Sequence, residues 1–360
     1  MNGGLSNLRN KMQTCVRLAI SAGAGVIIPT FATRSDSDLM EYQTEECPDA
    51  LFDTASYQQD LFEACPQLHI RSCNDTAGLD ITIEAKFRSY QEPSHSGGSF
   101  RALIDDTIAK SGVITRPEIS WMKPVRILYG DPYVGWNYVA AAEMEVKKDL
   151  FRTLRYNTTL SEIGQQVFDT LKQAVTGPIV AVHLRGEVDW PDGFGGLDVQ
   201  IDLYTKTLLE LRDSTLDANG TATIRDVYVS CGNPEAIRTF QKTLEPLGYV
   251  VHDKLTLLAN HTDILEKIEA LRFDARAITE YDSLVSADYY LGLLSSSLSD
   301  SVAYARTVGE KDDYFSKYIR PGSKRLTSVD RTYPDPPSVR GNEHTKLIVL
   351  TGPDIMDCFP

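Results

Sequence analysis

The sequence predicts an α/β protein whose second half is a doubly wound parallel sheet, in a chain of 360 residues that divides into domains of ~150 residues each. Three observations predict it. From residue 177 onward, short β-branched runs alternate with helical stretches, the pattern of successive βαβ units. The first run, Ile179-Val180-Ala181-Val182, follows Gly177-Pro178 and is apolar throughout, as a strand covered on both faces must be. It ends abruptly in His183, Arg185, Glu187 and Asp189 at alternate positions. In an open parallel sheet the carboxyl ends of the strands line the ligand crevice, and alternation puts His183 and Arg185 on one face, an imidazole beside a permanent cation. That pair suits an anionic ligand.

Taken in order, Gly3-Gly4-Leu5-Ser6-Asn7-Leu8-Arg9 opens a helix with apolar Leu8, Met12, Cys15, Val16 and Ile20, which stops at Gly23-Ala24-Gly25. A glycine pair ahead of a helix leaves backbone N–H groups and the positive end of the helix dipole free for an anion. Such a turn ordinarily comes off a strand, and none precedes Gly3, so the expectation is an N-terminus that lacks its first strand. Val26-Ile27-Ile28-Pro29 reads as a short buried strand. Residues 34–75 read as acidic and irregular around one helix over 52–64. The segment 80–85 alternates like a strand, and helices are expected over 101–110 and 138–154, with 121–136 an ordered loop rich in aromatics and prolines. A helix over 160–175 leads to the strand at 179.

Beyond it the expected elements are a helix over 200–211, a strand over 227–231 and a helix over 236–247. A strand over 249–251 precedes helices near 263–270 and over 275–286. Asp288-Tyr289-Tyr290-Leu291-Gly292 then leads to Ser295-Ser296-Ser297 and a last helix over 298–307. Of the charged, proline-rich tail, only Leu347-Ile348-Val349-Leu350 is strand-like. The domain boundary is expected near residue 160.

A net charge of −14, from 36 basic and 50 acidic residues, argues against nucleic acid as partner, because phosphate-backbone affinity needs clustered Lys and Arg. The uncharged run 18–33 is interrupted by Gly23, Gly25 and Pro29 and falls short of the ~20 apolar residues that span a bilayer. Met1-Asn2-Gly3-Gly4 starts on a turn rather than a signal peptide, so no signal or membrane segment is expected in the chain as written. Four sequons point the other way, at Asn74, Asn157, Asn219 and Asn260. Of six cysteines, Cys47, Cys65 and Cys73 cluster in one loop-like stretch without metal-ligand spacing, which favours a disulfide in an oxidising compartment over unpaired cytosolic thiols.

Three junctions thus carry ligand-like chemistry: the Gly3-Gly4 turn, the His183/Arg185 strand end and the serine turn before the last helix. Each taken singly has an ordinary explanation as a cap or an ion pair. In their order along the chain they resemble the nucleotide-sugar glycosyltransferases of the GDP-fucose O-fucosyltransferase superfamily, which have a GT-B fold of two Rossmann-like domains facing across a cleft. The resemblance runs through Gly3-Gly4-Leu5-Ser6-Asn7-Leu8-Arg9, Val26-Ile27-Ile28-Pro29, Leu51-Phe52-Asp53 with Cys65-Pro66-Gln67, and His183-Leu184-Arg185 with Asp189-Trp190. It continues through Glu280 and Asp288-Tyr289-Tyr290-Leu291-Gly292 to Ser296-Ser297-Leu298, covering most of residues 1–307.

The resemblance implies an acceptor-side domain over 1–160, a nucleotide-sugar domain over 161–310 and an extension over 311–360 packing back on the body. It implies inverting, metal-independent transfer of fucose from GDP-fucose to a hydroxyl of a protein or glycan, with no cofactor. Arg185 would be the catalytic cation on the leaving diphosphate, taking the role a metal has elsewhere. Gly3, Gly4, Asn7, His183, Asp288, Ser296, Ser297 and Leu298 would bind the donor, Asp288 at the guanine edge. Glu187 and Asp189 are the candidates for a base, with Glu187 alternatively a solvated partner of Arg185. The compartment implied is the lumen of the endoplasmic reticulum or Golgi. Two other readings remain: an inactive or truncated relative that binds a nucleotide sugar or serves structurally, and an NAD-dependent oxidoreductase, although no Gly-x-Gly-x-x-Gly follows a strand.

Overall fold

The structure, a computed structural model, describes residues 4–85, 97–120, 122–129, 141–190, 195–215, 223–294, 296–309 and 338–350. In the first half, α1 (Leu5–Ala22) is followed by β1 (Val26–Ile27), β2 (Phe31–Arg34), β3 (Tyr42–Glu46), α2 (Thr54–Ala64), β4 (Ile70–Arg71), β5 (Ile81–Ala85), α3 (Gly97–Ser111), β6 (Val125–Tyr129) and α4 (Ala141–Thr153). Gly23 ends α1 in the left-handed region, at φ 64°, where a side chain would be strained. Among the described residues the strands pair in twos: β1 with β4 and β5 with β6, both parallel, and β2 with β3 as an antiparallel hairpin.

Two expectations for this half are corrected. The stretch read as irregular holds the β2–β3 hairpin, whose strands are joined at Thr33 and Thr44, with Thr33 Oγ1 donating to Thr44 O at 3.1 Å. The segment read as a loop over 121–136 contains β6, because Val125 and Ile127 alternate with Arg126 and Leu128 and pair in register with Ile81 to Ala85. Trp121 and residues 130–136 lie outside the described residues. The stretch between the hairpin and β4 is closed by a Cys47–Cys73 disulfide, while Cys15, Cys65 and Cys231 are free thiols. Replacing both Cys47 and Cys73 with serine is expected to cost about 2–4 kcal/mol, read as a lower denaturation midpoint. An unchanged midpoint would mean that ionic contacts alone hold the hairpin.

The second half comprises α5 (Thr158–Ala174), β7 (Ile179–His183), α6 (Leu197–Ser214), β8 (Asp226–Ser230), α7 (Pro234–Leu244), β9 (Val250–His252), α8 (Lys254–Leu257), α9 (Thr262–Glu269), α10 (Phe273–Ser286), β10 (Tyr289–Leu293), α11 (Ser297–Val308), β11 (Ser338–Gly341) and β12 (Thr345–Val349). Its six-stranded sheet runs β11-β12-β10-β7-β8-β9, parallel except for the β11 edge. Sequential connections run outward from β7 in one direction and resume at β10 in the other, which makes the β7/β10 boundary the topological switch point. β7 is wholly buried. Val180 and Val182 pack on one side with Tyr204, Leu208 and Phe240, and Ala181 on the other with Ile278, Tyr290 and Val302.

α1 ties the halves together, packing against α3, α10 and α11. Its Leu8, Met12 and Val16 join one core with Leu150, Tyr156, Ile278 and Tyr281. Arg9 on the same helix is buried, with its guanidinium 3.9 Å from the Phe151 ring centroid and Nη2 donating to Phe151 O at 2.9 Å. A desolvated cation is tolerable there because aromatic faces and carbonyls replace its water. On α11, Arg306 is buried likewise, donating from Nε to Thr345 Oγ1 at 2.8 Å and from Nη1 to Val285 O and Ala287 O at 2.9 and 2.6 Å. Its Nη2 reaches Asp288 O at 3.1 Å, so one side chain fastens β12 and the start of β10 to α11. No helix among the described residues is long and apolar enough to cross a membrane.

Candidate functional site

A cleft of about 450 Å³ opens at the carboxyl ends of β7 and β8, beside the switch point. Its lining includes Gly4, Asn7, Arg34, His183, Arg185, Glu187, Asp189, Asp274, Ser296, Ser297 and Leu298. The expected glycine turn, strand end and serine turn therefore meet in one place. Gly4 caps α1 and Ser296 caps α11, neither cap being occupied by its own side chain, so the positive ends of two helix dipoles face the cleft. Gly3 and Ser295 lie outside the described residues.

The loop after β7 is held from both sides. Gln200 on α6, fully buried, accepts from Arg185 N at 3.1 Å and donates to Arg185 O at 2.9 Å, fixing both backbone groups of the arginine. Asn233, ahead of α7, donates to Gly186 O at 2.6 Å. A Cβ on Gly186 would stand 2.4 Å from that of Ala236, so only glycine lets α7 approach so closely. Arg185 Nη2 donates to Asp189 Oδ1 at 2.9 Å. Its Nε lies 3.3 Å from Glu187 Oε2 without hydrogen-bond alignment. Glu187 Oε1 accepts from Gly232 N at 2.6 Å. Glu187 is thus a buried partner of Arg185, with a side chain 6% exposed, rather than a solvated one.

His183 is buried, and its Nδ1 lies 2.7 Å from Ser299 Oγ, which itself accepts from Leu293 N at 2.9 Å. Burial first, and then the Arg185 cation, push the imidazole's pKa down to about 3. Unfolded, His183 takes up a proton below about pH 6.5, whereas folded it does not. Its neutrality therefore contributes stability that is complete above pH 6.5 and shrinks as the pH falls towards 3. His183→Gln is expected to flatten that part of the unfolding free energy against pH, and an unchanged slope would show that the ring is not buried neutral. The neighbouring Cys231 thiol is pushed up to about 12, by burial and then by Glu187, which leaves it no thiolate at neutral pH.

One expected site residue is elsewhere. Asp288 stands just ahead of β10, at the amino edge of the sheet, where its Oδ2 accepts from Ile179 N at 2.8 Å. It therefore ties the starts of two strands together at the end opposite the cleft and does not line the cleft.

The structure also adds residues that the sequence reading missed. Arg34, the last residue of β2, reaches across from the first half: Nε and Nη2 donate to Asp274 Oδ2 and Oδ1 at 3.2 and 2.6 Å, and Nη1 to Asp189 Oδ2 at 2.8 Å. Around it the hairpin docks on the start of α10, with Asp36 accepting from Phe273 N at 2.8 Å and Glu46 pairing with Arg272 at 2.8 Å. Deeper in the cleft, Lys254 Nζ donates to the buried Glu280 Oε2 at 2.9 Å and Tyr228 OH to Oε1 at 3.3 Å. Among the described residues no group of three or more His, Cys, Asp or Glu side chains is arranged to hold a metal ion.

Fold and site define an α/β protein with a cleft lined by Arg34, His183 and Arg185 at the switch point of its main sheet. No protein-family model matches the sequence, and no curated protein matches it. Among solved structures, POFUT1 in complex with GDP superposes with a TM-score of 0.50 at 13% identity, over 86% of this chain and 94% of that one. The fucosyltransferase NodZ from Bradyrhizobium gives 0.41 at 12% identity over 85% and 90%, and a point mutant of Arabidopsis thaliana FUT1 in complex with GDP gives 0.43 at 12% over 85% and 67%. The likeness to POFUT1 is one of fold: the chain has a fucosyltransferase-like, GT-B-like architecture.

Proposed function

We propose that the protein is an inverting glycosyltransferase that moves fucose from GDP-fucose to a hydroxyl of a protein or glycan acceptor without a metal ion. The observation that carries the proposal is the convergence of two uncapped helix N-termini with His183 and Arg185 in one cleft. Such a cleft suits a diphosphate, and the fold it sits in is that of a protein solved with GDP. Gly4 and Asn7 at the start of α1, and Ser296, Ser297 and Leu298 at the start of α11, would hold the donor from both sides.

In the transfer, the acceptor oxygen forms a bond to the anomeric carbon as the bond from that carbon to the β-phosphate oxygen breaks, the electron pair leaves with GDP, and the acceptor's proton passes to the released β-phosphate or to water. Arg185 meets the charge that grows on the diphosphate, in a position fixed in advance by Gln200. Glu187 is a poor candidate for the base, since its oxygens are taken up by Arg185 and the Gly232 amide. Asp189 is paired with Arg34 and Arg185 in the free protein, and displacement driven by leaving-group stabilisation fits the site better than deprotonation by Glu187.

The Cys47–Cys73 disulfide and the exposed sequons at Asn74 and Asn260 support a lumenal compartment of the secretory pathway. Asn219 lies outside the described residues, and Asn157 spends its side chain capping α5 and donating to Asp49 O at 3.0 Å. GDP release from a panel of GDP-sugars tests the proposal, GDP-fucose being the expected substrate. Calorimetry that detects binding of neither GDP nor GDP-fucose would remove the donor assignment.

A further inference from the structure

We infer that Arg34 is a second guanidinium of the diphosphate site, sharing with Arg185 a carboxylate, Asp189, that the entering diphosphate displaces. The ligand's identity rests on the nucleotide-sugar reading above, while the two-guanidinium arrangement stands on its own geometry. Asp189 Oδ2 accepts from Arg34 Nη1 at 2.8 Å and Oδ1 from Arg185 Nη2 at 2.9 Å, so one carboxylate spans two forks that come from opposite halves of the chain. A phosphate offers a guanidinium the same pair of oxygens as a carboxylate, with more negative charge.

Each fork also has a carboxylate of its own. Asp274 takes Nε and Nη2 of Arg34, and Glu187 stands beside Nε of Arg185, anchored by the Gly232 amide. Asp189 is the shared partner and therefore the exchangeable one. When it leaves, neither guanidinium becomes an uncompensated buried charge, the state that would be strongly unfavourable. Val188 beside it is 81% exposed and the Asp189 side chain itself 14%, so the carboxylate sits at the margin of the cleft next to a surface turn into which it can move.

Each fork also lies against an aromatic ring, Arg34 5.0 Å from the Phe273 centroid and Arg185 5.1 Å from that of Trp190. Gly4 explains part of the fit: a Cβ there would stand 3.3 Å from Arg34 Nη2 and press the fork away from the end of α1. The glycine turn thus makes room for a cation as well as for a ligand.

Inorganic pyrophosphate, titrated calorimetrically into the full-length protein, tests the inference without any nucleotide or sugar. Arg34→Ala is expected to weaken binding at least tenfold, and Arg34→Lys, which keeps the charge and loses the fork, several-fold. Asp189→Asn is expected to tighten binding several-fold, because it removes the charge that competes with the anion, whereas a merely structural Asp189 would leave binding weaker or unchanged. No binding to the wild type, equal affinity in Arg34→Lys and wild type, or weaker or unchanged binding in Asp189→Asn would overturn the inference. GDP-fucose turnover in the same preparations separates the two readings. Absent turnover with the expected pyrophosphate responses removes the transferase proposal and leaves this site, while turnover with a pyrophosphate affinity indifferent to Arg34 does the reverse.

Discussion

Alanine in place of Arg185 is expected to lower GDP release from GDP-fucose by about 10²–10³-fold, the usual loss when a preorganised donor to a developing anion is removed. The fold should survive the change. Glu187 keeps the Gly232 amide and Asp189 keeps Arg34, so neither carboxylate is left buried without a donor. Arg185→Lys should fall between the two, since an ammonium supplies charge without the planar fork. The effect should appear mainly in kcat, because the cation meets charge that is largest after the glycosidic bond has begun to break. Equal turnover in wild type and Arg185→Ala would remove the mechanism even if the protein binds GDP.

The largest effect on stability is expected at Arg306, far from the cleft. Arg306→Met should destabilise the protein by about 3–5 kcal/mol, measured as a shift in the chemical denaturation midpoint at unchanged cooperativity. The replacement fills a similar volume but leaves the carbonyls of Val285, Ala287 and Asp288 without the donors that now satisfy them in the interior. It also removes the donor to Thr345, the first residue of β12. A loss below about 1 kcal/mol would show that water or neighbouring donors take over those groups.

The second half of the fold was legible because βα alternation is a strong local signal: each strand from β7 to β10 is an apolar run closed by turn residues or a polar helix start. The strand end His183-Leu184-Arg185 was legible for the same reason, since the carboxyl edge of a parallel sheet follows from strand direction alone. That rule also shows why Asp288 was misplaced. It precedes its strand, so the sheet carries it to the amino edge whatever motif it belongs to.

In the first half, β1 was legible as the apolar run at Val26, whereas β4 has two residues, too few for any periodicity to register, and its pairing with β1 is set by tertiary contact. Arg34 was invisible for a different reason. Its partner Asp274 lies 240 positions along the chain, and nothing in the local sequence marks it as a buried arginine. Gln200 and Asn233 were hidden in the same way, as polar residues near helix starts whose partners are backbone atoms of the β7 loop.

The position of β12 in the main sheet has a consequence for biosynthesis. β10 is laid down well before β12, which arrives only after α11 and the long segment that follows it. With a ribosome adding roughly 5–20 residues each second, the nascent sheet waits for seconds with the Tyr290-to-Leu293 edge unpaired and apolar. An open strand edge of that kind invites pairing with another chain. A polypeptide that stops short of Thr345 would lack β12 and is expected to leave the Tyr290-to-Leu293 edge of the sheet open to pairing with a neighbour.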